Sequence, residues 1–278
     1  MNNTKRTTNI LIDANSQKSR YYFDLWAYRD LLIFLAWRDI LVRYKQTAIG
    51  ITWAFARPLL TMIIFSFIFG KVAKLPTNGI PYPLLVFSAM LPWYFFSNAF
   101  TDISNSLLAN SNMISKVYFP RLVIPLSTIA VSLVDFMISM LLMLGLMIWY
   151  GMLPSPRFFA IVFFLILAAA TALGMGLWFA VLNVRYRDFR YIVPFITQIG
   201  LYISPVGFSS SLVPEAFRFL YFLNPMVAVI EGFRWALLGT TTEIYIPGFL
   251  LSIFCVVSLL WSGLWYFRRT ENTFADEI

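Results

Sequence analysis

The sequence predicts an all-α integral membrane protein with six transmembrane helices. Of its 278 residues, 60% are hydrophobic and only 12% are charged, and the mean hydropathy is +0.74. Soluble domains contain about 45–50% apolar and about 25% charged residues, and a water-soluble fold of this length could not bury so much apolar surface. Lipid must therefore solvate much of the chain. Long apolar runs without alternation, such as residues 158–181, exclude a membrane β-barrel.

Six segments are apolar enough and long enough to cross a bilayer, which takes about 20 residues. They are residues 48–70, 83–104, 122–150, 158–183, 189–206 and 244–267. Each is predicted to be helical, because backbone polar groups in hydrocarbon must be satisfied within the segment. The first contains Arg57-Pro58 and the fifth is short, so these two are the least regular spans.

The basic residues predict the orientation of the chain. All but five of the 21 Lys and Arg residues fall in segments on one side of the predicted membrane. The five on the other side are Lys71, Lys74, Arg157, Arg218 and Arg234. Cytoplasmic loops carry the excess of basic residues, so both termini are expected in the cytoplasm, which an even number of spans requires.

Outside the spans, the chain is predicted to begin and end in polar tails. Residues 1–21 form a flexible cytoplasmic tail without the continuous apolar core of a cleavable signal peptide, and residues 271–278 form the other tail. Residues 22–46 carry an apolar stripe at helical spacing: Trp26, Ile33, Trp37, Ile40 and Tyr44. The charges between them favour an amphipathic helix that lies along the membrane interface. Residues 47–270 form the transmembrane domain.

The segment between spans five and six, residues 207–243, is predicted to contain two short external helices. Its apolar pieces, 212–223 and 226–239, reach only about 18–21 Å at 1.5 Å per residue, and Pro225 separates them. Neither piece can cross a hydrocarbon core of about 30 Å. A re-entrant pair is expected, in which Glu231 and Arg234 are spaced to form an i,i+3 ion pair.

Several functions are excluded by what the sequence lacks. It has no histidine and a single cysteine, Cys255, so no internal disulfide and no His- or thiol-rich metal site is expected. It contains no P-loop and no G-x-S-x-G elbow, so neither nucleotide binding of that type nor catalytic residues are predicted. The net charge of +8 is dispersed between apolar runs, which indicates membrane topology rather than nucleic-acid binding.

Two acidic residues lie within the predicted spans. Asp102 falls near the cytoplasmic end of its helix, where a basic partner in the headgroup region would explain it. Asp135 lies deeper, and either a proton or cation path or a structural pairing fits it. Basic residues at the same membrane face, namely Arg38, Arg43, Lys45 and Arg57, are candidates to bind the diphosphate of a lipid-linked substrate, although ordinary topology also explains each one.

Five segments together resemble the membrane subunit of ABC type-2 exporters of lipid-linked polysaccharides, the Wzm-type O-antigen, capsule and teichoic-acid transport family. The first is RDILVRYKQTAIGITWAFARP (38–58), which carries Arg38, Asp39, Arg43, Tyr44, Gly50, Trp53 and Pro58 at the family's positions. The others are LPWYFFSNAF (91–100), KVYFPRLVIP (116–125), LNVRYRDFRYIVPFITQIGLYISPV (182–206) and LNPM (223–226). They occur in the family's order and cover most of residues 22–268.

The resemblance implies a homodimer in the bacterial cytoplasmic membrane, bound to two copies of a separate ATPase subunit that holds ATP and magnesium. It implies that this chain binds no cofactor of its own and translocates a lipid-linked polysaccharide through a conduit between the two copies. The predicted ATPase-coupling loop is Lys116, Val117, Tyr118, Phe119, Pro120 and Arg121. The predicted external gate contains Pro214, Glu215, Arg218, Asn224, Pro225, Glu231 and Arg234.

Two other classes are weighed against this interpretation. A secondary transporter should show broken helices in corresponding positions of both halves, and the sequence shows one broken pair. A membrane-embedded enzyme should show clustered carboxylates, histidines or a metal site at one membrane face, and the sequence shows none. Neither the glycan nor the aromatic residues that would line a conduit can be identified from the sequence.

Overall fold

The computed structural model describes residues 25–45, 50–77, 79–186, 188–239 and 245–274. The whole predicted N-terminal tail, residues 22–24 of the predicted interfacial helix, the start of the first span, Arg187, Glu243 and the last four residues lie outside these ranges. Every regular element within them is a helix, as predicted.

Ten α-helices follow one another along the described chain. They are α1 (Arg29–Lys45), α2 (Gly50–Phe65), α3 (Tyr82–Ala109), α4 (Ser111–Ile114), α5 (Val123–Trp149), α6 (Ile161–Arg185), α7 (Phe189–Ile203), α8 (Glu215–Tyr221), α9 (Pro225–Leu238) and α10 (Ile246–Thr270). A π-helix, Ser66–Val72, continues α2. Short 3-10 turns occur at Phe158–Ala160, Ser210–Leu212 and Glu271–Thr273.

Five of these helices are long and apolar enough to cross a membrane, and each coincides with a predicted span. They are Phe55–Val72, Tyr82–Ala109, Val123–Trp149, Phe158–Arg185 and Ile246–Thr270. The predicted fifth span is the exception, because its helix α7 has only 15 residues and reaches about 22 Å. The chain then continues toward α8 with the short 3-10 turn Ser210–Leu212 as its one regular element. Helices α8 and α9 are bent by 101° relative to each other, which fits the predicted pair of short helices.

Helix α3 forms the centre of the bundle. In its most apolar stretch of 18 residues, 78% of the residues are buried, against 17–33% in the corresponding stretches of the other long helices. It packs against α5, α6 and α9, and Gly176 of α6 leaves room for the side chain of Ile103. Helix α10 packs on the far side of α6 at a crossing built from Gly174 and Gly263. Any polar side chain on α3 therefore lies close to the middle of the molecule.

One end of the bundle, here called the basic end, carries Arg121, Arg185, Arg268 and Arg269. Helix α3 ends there, α5 begins there, and α6 and α10 end there. Apolar side chains from these elements close this end in a cluster of their own, which includes Leu107, Ile114, Phe119, Val181, Phe267 and Phe274. Residues 271–274, the described part of the predicted C-terminal tail, fold into this cluster through Phe274.

Helix α1 packs chiefly against α5 and buries Leu35 and Ala36. Two of its arginines reach α3. Arg38 contacts Asn110, the residue after the C-terminal end of α3, and Arg43 contacts Asp102 within α3. The side chains of Ile33, Phe34, Trp37 and Val42 remain exposed. These apolar side chains are suited to contact lipid, and the placement of this helix along the interface stays a prediction.

Candidate functional site

A stripe of polar side chains runs along the central helix α3. While most of α3 is buried, the partly exposed residues between its two ends recur at spacings of one and three residues, which places them on one face. They are Tyr94, Ser97, Asn98, Thr101, Asp102 and Asn105. Thr101 Oγ1 donates to Ser97 O at 2.8 Å, and Asn105 Nδ2 donates to Thr101 O at 2.9 Å. These local bonds satisfy part of the polar surface, and the rest is available to water or to a polar ligand.

Arg43 of α1 joins this stripe to helix α5. Its Nη1 lies 3.3 Å from Asp102 Oδ2 and 3.1 Å from Asp135 Oδ2, so one guanidinium pairs with both acids. The Tyr44 hydroxyl donates to Asp135 Oδ1. Burial, and then this hydrogen bond, raise the pKa of Tyr44, so the phenol stays a neutral donor. The structure thus supplies the basic partner expected for Asp102 and gives Asp135 the same one.

A cavity of about 240 Å³ opens beside this cluster between α1, α2, α3 and α5. Polar and aromatic groups of all four helices line it: Arg43, Tyr44, Arg57, Tyr94, Phe95, Asn98, Asp135, Phe136 and Ser139. The Arg57 guanidinium carbon lies 5.8 Å from the centroid of the Tyr94 ring. We call this cavity and the α3 stripe the polar groove. It offers cationic donors, hydroxyls and ring faces in one path, which suits a hydroxyl-rich substrate.

The four predicted headgroup-binding residues do not form a single cluster. Arg43 and Arg57 line the polar groove together. Arg38 pairs with Asp39 at 2.7 Å and donates to Asn110 Oδ1 at 2.8 Å, beside the end of α3. Lys45 is exposed at the end of α1. A substrate headgroup in the groove would therefore meet Arg43 and Arg57, and Arg38 serves α1 packing.

The predicted coupling loop, residues 116–121, lies at the basic end. Lys116, Val117 and Tyr118 are exposed, whereas Phe119 is 5% exposed and belongs to the apolar cluster of the basic end. The backbone N–H of Arg121 donates to Glu271 Oε1 at 2.8 Å, and its guanidinium donates to the Glu271 carbonyl. The loop is therefore anchored by Phe119 and Arg121 and presents Val117 and Tyr118 outward.

The predicted gate is the bent pair α8–α9 at the opposite end of the bundle. Pro214 precedes α8, whose first residue Glu215 is exposed, and Pro225 opens α9, where a missing N–H has no cost. Asn224 Oδ1 accepts from Met226 N at 3.1 Å, and Asn224 Nδ2 donates to Ser204 Oγ at 3.0 Å. Asn224 thus caps α9 and fastens it to the segment after α7.

Arg234 is the polar centre of this end. The sequence predicts it in the external gate, and the structure buries it to 2% exposure at this end of the bundle. Its Nη2 donates to Val206 O at 2.9 Å, its Nη1 to Phe208 O at 2.8 Å and its Nε to Leu85 O at 3.3 Å.

The predicted pair of Glu231 and Arg234 is confirmed at 3.4 Å, and Glu231 Oε1 also accepts from Ser210 N at 2.9 Å. Helix α7 ends at Ile203, and the carbonyls of Val206 and Phe208 beyond it lie outside any helix. At membrane depth such backbone must be satisfied by protein. Arg234 and Glu231 supply those partners and allow the short α7 to be extended by irregular backbone.

The polar groove is the feature that sequence reasoning missed. The spacing of Ser97, Thr101, Asp102 and Asn105 within an apolar span was a readable signal for a polar face. The sequence could not indicate that α1 contributes to the groove, because Arg43 and Asp135 are far apart in the chain. Trp93 of the same helix is 4% exposed and packs against Gly200 of α7.

In the ranges that the structure describes, no group of three or more His, Cys, Asp or Glu residues is placed to hold a metal ion. Asp102 and Asp135 are both paired with Arg43, as described above.

Comparison with known proteins follows this geometry. Residues 30–238 match the ABC-2 type transporter family, a range that runs from α1 to the end of α9. The chain is 30% identical to an O-antigen export system permease protein RfbA of Klebsiella pneumoniae, over 89% of this chain and 94% of the relative. It is 28% identical to RfbA of Myxococcus xanthus, over 92% and 98%. It is 25% identical to the polysialic acid transport protein KpsM of Escherichia coli, over 84% and 91%.

Proposed function

Because the chain belongs to the ABC-2 type transporter family, we propose that it is the membrane subunit of an ATP-driven exporter of a lipid-linked polysaccharide. The observation that carries this proposal is its similarity, over nearly the whole length of each, to permeases named for O-antigen and polysialic acid transport. The polar groove supports it, since a glycan needs hydroxyl partners on its way through hydrocarbon.

The groove also supports a dimeric conduit. Its cavity of about 240 Å³ is too small for a polysaccharide chain, and among the described residues the buried helix α3 fills the centre of the bundle. The polar face of α3 is partly open, however, and α2 and α7 beside it leave Ile63, Phe67, Phe195 and Tyr202 exposed. A second copy packed against these helices would enclose the groove on its open side. We therefore place the conduit between two copies of this chain.

The basic end is proposed to face the cytoplasm of a bacterial cell and to bind two copies of an ATPase subunit. The excess of basic residues at this end supports the orientation and cytoplasmic termini. Val117 and Tyr118, held outward by Phe119 and Arg121, would contact the partner. ATP and magnesium would be bound by that partner, and this chain would convert its closure into movement of the helices.

The bent pair is proposed to act as the external gate. Its two helices contain or adjoin five of the predicted gate residues: Pro214, Glu215, Arg218, Asn224 and Pro225. Glu231 and Arg234 connect α9 to the segment at the end of α7. A movement of α7 at the groove would therefore be transmitted directly to α9. This connection gives the gate a mechanical link to the conduit wall, which a separate external cap would lack.

Co-purification tests the proposal directly. The tagged chain should co-purify with the P-loop ATPase encoded beside its gene, and native mass spectrometry should give a complex of two copies of each. ATP hydrolysis should occur in the complex and be absent from the chain alone. Isolation of the chain as a complex without any ATPase, or ATP turnover by the purified chain itself, would refute the proposal.

A further inference from the structure

A second and larger cavity lies on the side of α9 away from the polar groove. It has a volume of about 430 Å³ and is enclosed by α6, α8, α9 and the start of α10. From α9, Phe233 points toward Phe136 of the bundle, with ring centroids 6.0 Å apart, whereas Ala228, Glu231, Gly232 and Trp235 line this cavity. The two cavities are therefore separate, and this one is not part of the polar groove.

The deep part of the cavity is apolar. Phe164, Phe222 and Ala228 line it, and each is 3% exposed. Gly232 belongs to this part because a Cβ there would lie 2.1 Å from the Phe164 ring. Such a surface favours hydrocarbon, and the cavity volume falls in the usual range of about 300–1,000 Å³ for small-molecule sites.

The rim of the cavity is polar and carries a cation. The Arg218 guanidinium carbon lies 4.8 Å from the centroid of the Tyr245 ring, and both residues line the cavity. Arg218 Nε is buried and has no hydrogen-bond partner among the residues that the structure describes. The hydroxyl-bearing Ser209 and Ser211 stand on the same rim. The carboxylate of Glu231 is already engaged by Arg234 and Ser210.

The mouth of the cavity continues into an exposed apolar stripe on α10. Ile246 lines the cavity and is 65% exposed, and exposed apolar side chains follow it at helical spacing along α10: Leu250, Phe254, Val257, Trp261 and Trp265. In a membrane this stripe faces lipid acyl chains. The cavity is thus a polar and aromatic recess at the head of a lipid-facing surface.

We propose that this cavity binds the headgroup of a membrane phospholipid. Arg218 would hold the phosphate, because a guanidinium presents a fork of donors that matches phosphate oxygens. One acyl chain would enter the apolar deep part of the cavity, and the other would lie along the α10 stripe. The proposal needs only that the chain spans a membrane, so it does not depend on what the protein transports.

Native mass spectrometry of the detergent-extracted complex tests the site. After mild delipidation, the wild-type complex should retain one phospholipid per copy of this chain. Arg218→Gln should lower that occupancy about tenfold, which corresponds to the loss of one charge-assisted hydrogen bond. Arg157→Gln is the matched control, since Arg157 also stacks on an aromatic ring of the cavity wall, Trp235 at 4.7 Å, but does not line the cavity. It should leave the occupancy unchanged.

A second variant covers the case in which Arg218→Gln fails to assemble. Ala228→Leu fills the deep part of the cavity and should also exclude the lipid, and added phosphatidylglycerol should restore binding to the delipidated wild type alone. Retention of the phospholipid by both variants would overturn the proposal. Equal loss from the Arg157→Gln control would do so as well, as would a bound mass of polyprenyl phosphate, which would assign the site to a lipid carrier.

Discussion

At the scale of single residues, the structure uses two arginines inside a predominantly apolar chain in different ways. Arg43 pairs with two acids beside a cavity, and Arg234 is buried among backbone carbonyls. An uncompensated charge buried as deeply as Arg234 is costly, so this residue depends on its partners, whereas the side chain of Arg43 is 37% exposed. Arg43 shapes a polar surface that a substrate can use, and Arg234 holds the backbone in place.

Replacement of Arg234 should strongly destabilise the protein. Arg234→Met leaves three backbone carbonyls without their donor and Glu231 without its cation. We therefore expect the free energy of unfolding to fall by about 3–5 kcal/mol. Denaturation of the detergent-solubilised protein measures it. Glu231→Gln should cost less, about 1–3 kcal/mol, because an amide can still accept from Ser210. A stable Arg234→Met variant would contradict the capping role of this residue.

A substitution on the α3 stripe should impair transport without loss of assembly. Asn98 lines the polar groove, and Asn98→Leu replaces a hydrogen-bonding amide by an apolar group of similar volume. We expect export of the surface glycan to fall about tenfold, since an unpaired substrate hydroxyl costs about 1–3 kcal/mol. Radiolabel incorporation at the cell surface measures the rate.

Ser258→Leu is the control for Asn98→Leu, because Ser258 is also half-exposed but lies on α10, which packs on α6. The Ser258→Leu variant should export the glycan at the wild-type rate. Equal rates for the Asn98 and Ser258 variants would remove the groove from the conduit.

At the scale of elements, hydropathy identified the five long helices because each must bury its backbone and expose apolar side chains to lipid. It could not identify where α7 ends, since the partners of the irregular backbone after it come from Arg234 on α9. Nor could it place α1 against α3 and α5. Both features depend on contacts between residues that are distant in the chain, such as Arg43 with Asp135.

The crossing of α6 and α10 should be sensitive to a single methyl group. A Cβ at Gly263 would lie 2.4 Å from Gly174 O, and this contact is with backbone, which cannot move aside easily. We expect Gly263→Ala to destabilise the protein by about 1–3 kcal/mol through overpacking. Gly145, in the middle of α5, would have nothing within 4 Å of a new Cβ. Gly145→Ala should therefore be neutral or stabilise the helix by up to about 1 kcal/mol.

Two substitutions in the 116–121 loop should distinguish its role in partner binding from its role in stability. Tyr118 is 73% exposed, so Tyr118→Ala should weaken co-purification with the ATPase and cost far less stability than the loss of a buried side chain. Phe119 is 5% exposed in the cluster at the basic end, so Phe119→Ala should cost about 3–5 kcal/mol of stability. Pull-down yield and melting temperature distinguish the two. Full ATPase binding by Tyr118→Ala would place the partner elsewhere.

At the scale of the whole molecule, the buried helix α3 fills the centre of the bundle that the described residues form, and the polar groove lies beside helices that expose apolar surface. This arrangement explains why the sequence identified the family and the membrane fold but not the conduit. The groove emerges only when α1, α2, α3 and α5 are assembled, and the second copy that would enclose it is encoded by the same sequence.

The central claim, that this chain exports a lipid-linked polysaccharide, is tested most directly by deleting its gene. Surface glycan and membrane-bound lipid-linked glycan are then measured in the same cells. The account predicts that surface glycan disappears while lipid-linked glycan accumulates at the cytoplasmic face, and that the wild-type gene restores both. Unchanged surface glycan, or its loss without any accumulation of the lipid-linked precursor, would contradict the account.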